Sequence, residues 1–252
     1  RGAADAAPQR SSGSRLRQRV SDREISYSWV IYNLARTGKP DAATAFLEAM
    51  AADGIKPNSF AYEAVLNSYA KHLDRRQKAE DLFRQMQQSD IQPNVAHYQH
   101  VMDCCAKAGE AKLAERWFYL MRKNSIAPTP ACYNVLINAR ARQGDPERAF
   151  KWFERMKESN LVDIVAYNSV LHSLSKAGRL GIVRPSAVEE TEKLFRELRS
   201  NQLAPTFVTL ELLASIVGDS RRNELCEELN VDVEEASQLD HERHRKVRPL
   251  SQ

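Results

Sequence analysis

The side chains best placed to act on a ligand form a column of cations. Arg36, Lys71, Lys107, Arg142 and Lys176 recur at steps of 35, 36, 35 and 34 residues. Lys and Arg are 37 of 252 residues, so five of five at an arbitrary column has odds of roughly one in ten thousand. One cation per interval can track one phosphate per nucleotide. The competing explanation needs no ligand: a cation at the C-terminus of a helix complements its dipole. Other reactive side chains are less organised. His97-x-x-His100 and His241-x-x-His244 could each share a helix face, but neither has a Cys or carboxylate arranged as a third ligand, so surface or groove histidines are expected and no metal. Cys104, Cys105, Cys132 and Cys226 form no CxxC pair, and two are adjacent. They read as reduced thiols packed in a core, and neither Cys104 nor Cys132 has an assigned base or orienter that would make it a nucleophile. With no Walker loop or nucleophile elbow, neither catalysis nor a cofactor is expected.

What could position such a column is constrained by composition. The 42% hydrophobic content and 28% charged content fit a folded chain, and no stretch approaches the roughly 18 apolar residues of a membrane-spanning helix, so no membrane insertion is expected. Net charge is +4, unevenly spread. Residues 1–23 carry six Arg against Asp5 and Asp22, residues 241–252 carry three basic charges net, and residues 224–240 hold seven carboxylates with no Lys or Arg. The remaining middle is mildly cationic, which permits a polyanionic partner.

The cation column is one of several in register, and a fixed period of this length marks a repeat architecture. A tyrosine recurs at Tyr27, Tyr62, Tyr98, Tyr133 and Tyr167. A glycine falls at Gly38, Gly109, Gly144 and Gly178, with Leu73-Asp74-Arg75 in the second repeat. Alanine precedes an aromatic or leucine by four residues at Ala43/Leu47, Ala79/Phe83, Ala114/Phe118 and Ala149/Phe153, with Thr191/Phe195 as a looser copy. Met50, Met86, Met121 and Met156 follow, with Leu198 in the fifth place, and Pro57, Pro93, Pro128 and Pro205 close the unit, with Val162 replacing it once.

Each repeat reads as two helices. In the fourth, Tyr133, Val135, Leu136 and Ala139 fit the spacing of an amphipathic helix, and Gly144 can supply its left-handed terminator. Asp145-Pro146-Glu147 then offers an N-cap, a proline at the first helical position and an anion in the first turn. Ala149, Phe150, Phe153 and Met156 share a face of the second helix. No segment combines alternation with hairpin turn signals, so the fold class expected is all-α, with essentially no sheet. One pair cannot bury its apolar face alone, whereas stacked pairs can. The tyrosines and their Phe and Met counterparts are therefore expected in equivalent buried places.

The pattern resembles the pentatricopeptide repeat family. The matching stretches are Tyr133-Asn134-Val135-Leu136-Ile137, Lys107-Ala108-Gly109 with Lys176-Ala177-Gly178, and Ile91-Gln92-Pro93-Asn94. Five repeats match, at 24–58, 59–94, 95–129, 130–163 and 164–206, and a degenerate sixth or helical cap with an acidic segment begins at Phe207 and reaches residue 240. The tetratricopeptide repeat has a similar period, but its Leu-Gly and Ala-x-x-x-Tyr columns are missing.

The resemblance implies a right-handed α-solenoid that binds single-stranded RNA, about one nucleotide per repeat. It further implies that the residue after each repeat tyrosine and the repeat's last residue read a base edge. Carried over, these pairs are Ser28 with Asn58, Glu63 with Asn94, Gln99 with Thr129, Asn134 with Asp163, and Asn168 with Thr206. By the family's code Asn134/Asp163 selects uracil, Ser28/Asn58 adenine and Asn168/Thr206 a pyrimidine, while Glu63/Asn94 and Gln99/Thr129 depart from the usual combinations. Roughly 46 residues after Thr206 are too few for the nuclease or deaminase-like domain that some relatives carry.

Outside the array, residues 1–23 are rich in Arg, Ser and Ala, like an organelle transit segment or a flexible basic arm. Arg1 rather than Met opens the chain, as in a fragment or processed form, and residues 241–252 form a basic tail. Residues 179–190 enlarge the turn inside the fifth repeat. The function expected is a non-enzymatic binder of single-stranded RNA, acting in a mitochondrion or chloroplast on transcript processing, stability or translation. The alternative, from a different class, is a scaffold that holds protein subunits of an organellar ribosome or another large complex.

Overall fold

The computed structural model describes residues 12–179, 186–233 and Ala236, and none of these lies in a strand. They form helices α1 (Ser12–Arg36), α2 (Pro40–Ala52), α3 (Ser59–Tyr69), α4 (Arg76–Gln88), α5 (Val95–Lys107), α6 (Ala111–Lys123), α7 (Pro130–Arg142), α8 (Pro146–Glu158), α9 (Ile164–Arg179), α10 (Ala187–Ser200), α11 (Phe207–Val217) and α12 (Asp219–Glu228). Consecutive helices pair as α1 with α2, α3 with α4, α7 with α8, α9 with α10 and α11 with α12. Contacts group the chain into two compact units, 1–104 and 105–252. In the first, α1 packs on α2 and α3; in the second, α7 packs on α8 and α9, and α9 on α11. Each unit is thus an all-α stack of helical pairs, the local geometry of an α-solenoid.

The repeat columns are explained by how the helices end. Gly38, Gly109 and Gly144 sit at φ 75°, 79° and 70°. The following N–H groups of Lys39, Glu110 and Asp145 reach back five residues to the carbonyls of Leu34, Cys105 and Arg140 at 2.9, 2.9 and 3.1 Å. This is a Schellman closure, which needs a left-handed residue after the helix. Lacking that glycine, the second repeat ends α3 at Tyr69 and continues in tight turns, Lys71 N–H to Ser68 and His72 N–H to Tyr69. Gly178 departs from its column: it has no positive φ, and α9 runs through it to Arg179, beside the enlarged turn.

The second helices close in the same way. Ile55, Ile91, Ile126, Leu161 and Leu203 donate to the carbonyls of Met50, Met86, Met121, Met156 and Leu198 at 3.0–3.2 Å. The Met-x-x-x-x-Ile spacing is therefore the C3 and C″ pair of a Schellman motif, whose apolar contact accompanies the hydrogen bond. Gly54 serves the left-handed position once; Asp90, Ser125, Asn160 and Gln202 occupy it at φ 53–59°. The sixth pair follows suit, with Val231 N–H on the Cys226 carbonyl and Asn230 at φ 50°.

Between repeats the core is an aromatic relay. Phe83, Phe118 and Phe153 meet Tyr98, Tyr133 and Tyr167 of the next repeat edge-on, at centroid distances of 4.9, 5.1 and 4.9 Å. Such edge contacts add to the burial of both rings. The tyrosine hydroxyls turn back to the end of their own repeat's second helix: Tyr62 to Ser89 at 3.4 Å, Tyr133 to Ser159 at 3.0 Å and Tyr167 to Glu197 at 3.1 Å. Tyr62, Tyr98, Tyr133 and Tyr167 are buried, as expected. Tyr27 is only half-buried, because no phenylalanine of a preceding repeat covers it among the described residues, although its hydroxyl still bonds Asp53 at 2.9 Å.

Helix α1 starts at Ser12, so it extends into the basic segment 1–23. Arg15, Leu16, Arg17, Gln18 and Arg19 are all good helix formers, which accounts for that extension. Residues 1–11, the 180–185 part of the insertion and the basic tail with His241 and His244 lie outside the described residues. No described helix is long and apolar enough to cross a membrane.

Candidate nucleic-acid interface

On the first helix of every repeat, four positions counted from the tyrosine fall on one face: two before it, then one, five and nine after it. Steps of three, four and four residues keep them within one stripe. The stripes are Ile25-Ser28-Tyr32-Arg36, Phe60-Glu63-Asn67-Lys71, Ala96-Gln99-Asp103-Lys107, Ala131-Asn134-Asn138-Arg142 and Val165-Asn168-His172-Lys176. All but Asn134 are exposed or half-exposed. The first member of each pair expected to read a base thus lies eight residues, about 12 Å, from the cation on the same stripe.

The second member of each pair has a structural duty that sequence reasoning missed. Asn58, Asn94, Thr129, Asp163 and Thr206 immediately precede the helical turn that opens the next repeat. Asn58 Oδ1 accepts from Ala61 N–H at 2.9 Å, and Asp163 Oδ1 from Ala166 N–H at 2.9 Å. Asn94 Oδ1 accepts from Ala96 and His97 N–H at 2.9 and 3.2 Å. Thr206 forms a reciprocal capping box with Thr209. Thr129 makes no side-chain cap bond; its hydroxyl lies 3.4 Å from Cys132 Sγ. These residue types are preferred N-caps, so capping alone could have suggested them.

Two pairs meet directly. Asn134 Nδ2 donates to both oxygens of Asp163, at 3.2 and 3.1 Å, and Asn134 Oδ1 is buried without a partner. Asn168 Nδ2 donates to Thr206 Oγ1 at 3.4 Å, while Thr209 Oγ1 donates to Asn168 Oδ1 at 2.7 Å. That second pair is thereby satisfied internally, and Thr206 is buried. Ser28 and Asn58 line one cleft, where Ser28 Oγ is buried without a partner. Among the described residues, no hydrogen bond joins Glu63 to Asn94 or Gln99 to Thr129.

The cations sit where a helix dipole favours them. Arg36, Lys107, Arg142 and Lys176 occupy the last turns of their helices, and Lys71 lies just past α3. Lys176 Nζ donates to the Arg142 carbonyl, and beside it Gln143 Nε2 donates to the Gly109 carbonyl at 2.7 Å. Each of these links joins the end of one first helix to the preceding repeat. Arg36, Lys71 and Arg142 remain exposed. The field they make in the second unit is felt by His172, whose pKa is lowered by partial burial first, and then by Arg179, Lys176 and Arg142. A face of that sign attracts a polyanion.

His97 is a structural residue. Its Nδ1 accepts from Asn94 N–H at 3.1 Å, which leaves Nε2–H to donate to the Ser59 carbonyl at 3.1 Å. Burial lowers its pKa and keeps it neutral, against smaller opposing effects of Ser59 and Glu63. Among the described residues, no group of three His, Cys, Asp or Glu could hold a metal ion. The four cysteines are buried and form no disulfide. Sequence reasoning also missed Arg140, 3% exposed and paired with Glu115 at 2.6 and 2.8 Å, where Trp152 Nε1 also donates at 2.8 Å. Its spacing carries no repeat signal.

A model of the pentatricopeptide repeat domain matches residues 16–72 and 81–141, and a model of the PPR repeat family matches 128–176. A chloroplastic pentatricopeptide repeat-containing protein of Arabidopsis thaliana is 34% identical over 83 residues, covering 32% of this chain and 10% of its own length. A second such protein of that plant is 33% identical over 92 residues, 36% of this chain and 19% of its own length. The chain therefore matches a tenth to a fifth of these relatives. Among solved structures, PPR10 in complex with an 18-nucleotide psaJ RNA element aligns with TM-score 0.58 at 17% identity, over 82% of this chain and 33% of that one. The repeat domain of Arabidopsis protein-only RNase P 1 in complex with tRNA aligns with TM-score 0.57 at 16% identity, over 82% and 98%.

Proposed function

Because the chain belongs to the pentatricopeptide repeat family, we propose that it binds single-stranded RNA along the exposed stripes of its first helices, about one nucleotide per repeat. The observation that carries this is the pairing of Asn134 with Asp163 at 3.1 Å, on a stripe that ends in Arg142. An amide and a carboxylate side by side match the edge of one base, and the cation matches the phosphate chain. Ser28 with Asn58 is the second reader, since an unpartnered hydroxyl and a free amide N–H2 face one cleft. Asn168 and Thr206, tied to each other and to Thr209, contribute less. The protein acts without catalysis on organellar transcripts, in their processing, stability or translation. A mitochondrion or a chloroplast fits equally the basic N-terminal segment; the chloroplastic relative supports the second. A protein-holding scaffold is the other reading, favoured by Glu63 and Asp103, whose charges on the stripes repel phosphate.

The deciding experiment replaces Lys71, Lys107, Arg142 and Lys176 together by Gln. RNA binding should weaken alike for all sequences, and the slope of log affinity against log salt should flatten by up to about 3, since each phosphate neutralised on a single strand contributes about 0.7. Unchanged affinity and slope, with melting lowered, would leave only the helix-dipole role for the column.

A further inference from the structure

We propose that the groove between α6 and α8, the second helices of the third and fourth repeats, docks an acidic peptide segment of a protein partner. The groove lies outside the first-helix stripes, so this inference stands apart from the RNA-binding reading and either can fail alone. At one end it opens a cavity of about 450 Å3, which Lys112, Arg116, Arg140 and Arg148 line against a single carboxylate, Glu110. Arg140 is buried and committed to Glu115 and Gln143, and Arg148 bonds Asp145 at 3.3 Å. Lys112 and Arg116 are exposed and have no partner among the described residues.

Arg155, two turns along α8 from Arg148, is already set for a ligand. Its Nη1 donates to the Tyr119 hydroxyl at 2.6 Å, and its guanidinium lies 4.8 Å from the Trp152 ring centroid. These contacts hold the fork across to α6, while Nε and Nη2 have no partner among the described residues. A guanidinium fixed in this way loses little freedom when it takes a carboxylate. On α6, steps of four, three and four residues put Lys112, Arg116, Tyr119 and Lys123 on one face.

The repeat does not account for this charge. Where the third and fourth repeats set Lys112 and Arg116 against Arg148 and Arg155, the first and second hold Asp41 and Ala45 with Lys78 and Gln85. The second and third hold Gln77 and Asp81 with Leu113 and Leu120, and the fourth and fifth hold Glu147 and Lys151 with Glu190 and Glu197. Lys78 bonds Asp41 at 2.6 Å, so these positions do meet across neighbouring second helices. Four cations stand together in one place alone.

The surroundings decide which anion fits. Tyr119 and Leu120 are 47% and 39% exposed beside the cations, so apolar surface alternates with positive charge. Glu147, Glu154 and Glu158 are exposed along the outer ridge of α8, and of these Glu154 pairs with Lys157. A phosphate chain following the groove would run beside that acidic ridge and gain nothing from Leu120. A peptide whose carboxylates are spaced by apolar side chains satisfies both kinds of surface. Tyr, Trp and Arg are also the types that carry most interface energy.

The test uses the whole chain and a fluorescent peptide of four Glu-Glu-Leu repeats, with a Gln-Gln-Leu peptide of the same length as control. At low salt the wild type should bind the first at least about tenfold more tightly than the second. Lys112→Gln with Arg116→Gln should weaken that binding about tenfold, in keeping with the loss of a few charge pairs. Melting should not change, because neither side chain has a partner in the fold. Arg155→Lys, which keeps the charge but loses the fork, should weaken it as well. Replacing Lys71, Lys107, Arg142 and Lys176 by Gln should leave peptide binding as it is. Equal binding of the two peptides, or no loss in the double variant, overturns the proposal. So does a double variant that flattens the salt dependence of RNA binding, since the groove then holds the phosphate chain. Self-association of the wild type that Lys112→Gln with Arg116→Gln abolishes overturns it too, because the occupant is then a second copy of this chain.

Discussion

On the proposed RNA-binding reading, Asp163 both caps a helix and reads a base, two tasks that a pair of substitutions can separate. Its Oδ1 caps α9 through Ala166 N–H at 2.9 Å, and both oxygens accept from Asn134 Nδ2 at 3.1–3.2 Å. Oδ2 keeps a lone pair free for the imino N–H of uracil, and Asn134 keeps a second amide hydrogen for a uracil carbonyl. Asp163→Asn preserves a cap of equal quality, yet it turns one acceptor into a donor that suits cytosine N3. Asp163→Ala removes both functions. We therefore expect Asp163→Asn to melt within about 0.5 kcal/mol of wild type, while preference at one nucleotide shifts from uracil to cytosine. The shift should be worth about 1 kcal/mol, or about fivefold, at the low end for a base contact. Asp163→Ala should cost about 1 kcal/mol of stability and discriminate neither base. The assay is binding to short single-stranded RNAs that differ only at that base, alongside chemical unfolding of each variant. A uracil preference retained by Asp163→Asn, or lost together with stability, would refute the separation of cap from reader.

Glu115→Ala takes from the buried Arg140 its close carboxylate, leaving Gln143 Oε1 at 3.1 Å and Asp145 at 4.0 Å, and leaves the Trp152 N–H without its acceptor, so about 3 kcal/mol of stability should be lost; thermal melting checks it, and adding Arg140→Met should restore much of the loss. For His97 the pKa is lowered in the fold, so the native state favours the neutral ring and the unfolded chain binds more protons near its ordinary value of about 6.5. Its contribution is intact above that pH and lost as pH falls through the lower folded value; unfolding measured from pH 7 downward should show a steeper loss in wild type than in His97→Gln, and parallel curves would contradict this assignment.

The fold was legible because its columns are redundant. Tyrosine, alanine, phenylalanine and methionine recur at one period, and each copy restates the same buried contact. The helix ends were legible where the residue type marks them: Gly144 announces its turn, and Asp90 and Asn160 are types that tolerate left-handed backbone, while Ser125 and Gln202 take it up without signalling it. Gly178 misleads in the opposite sense, since it continues α9. For the proposed site, the sequence shows the spacing of its residues but not their hydrogen bonding. Nothing local to Asn168 reports that Thr209, 41 residues on, satisfies its carbonyl.

The coincidence of cap and reader constrains how such an array can vary. Asn58, Asn94, Asp163 and Thr206, each ending one repeat, supply an oxygen to start the next helix, a duty that Asn, Asp, Ser and Thr fill at little cost in stability among them. Those same four types differ sharply in what they offer a base: carboxylate, amide or hydroxyl. On the proposed RNA-binding reading, substitution within the capping set would therefore change recognition while sparing the fold, and substitution outside it would harm both. Asn58, Asn94, Thr129, Asp163 and Thr206 all lie inside that set. The partner position, one residue after the tyrosine, begins no helix, and it is there that Glu63 and Gln99 stand.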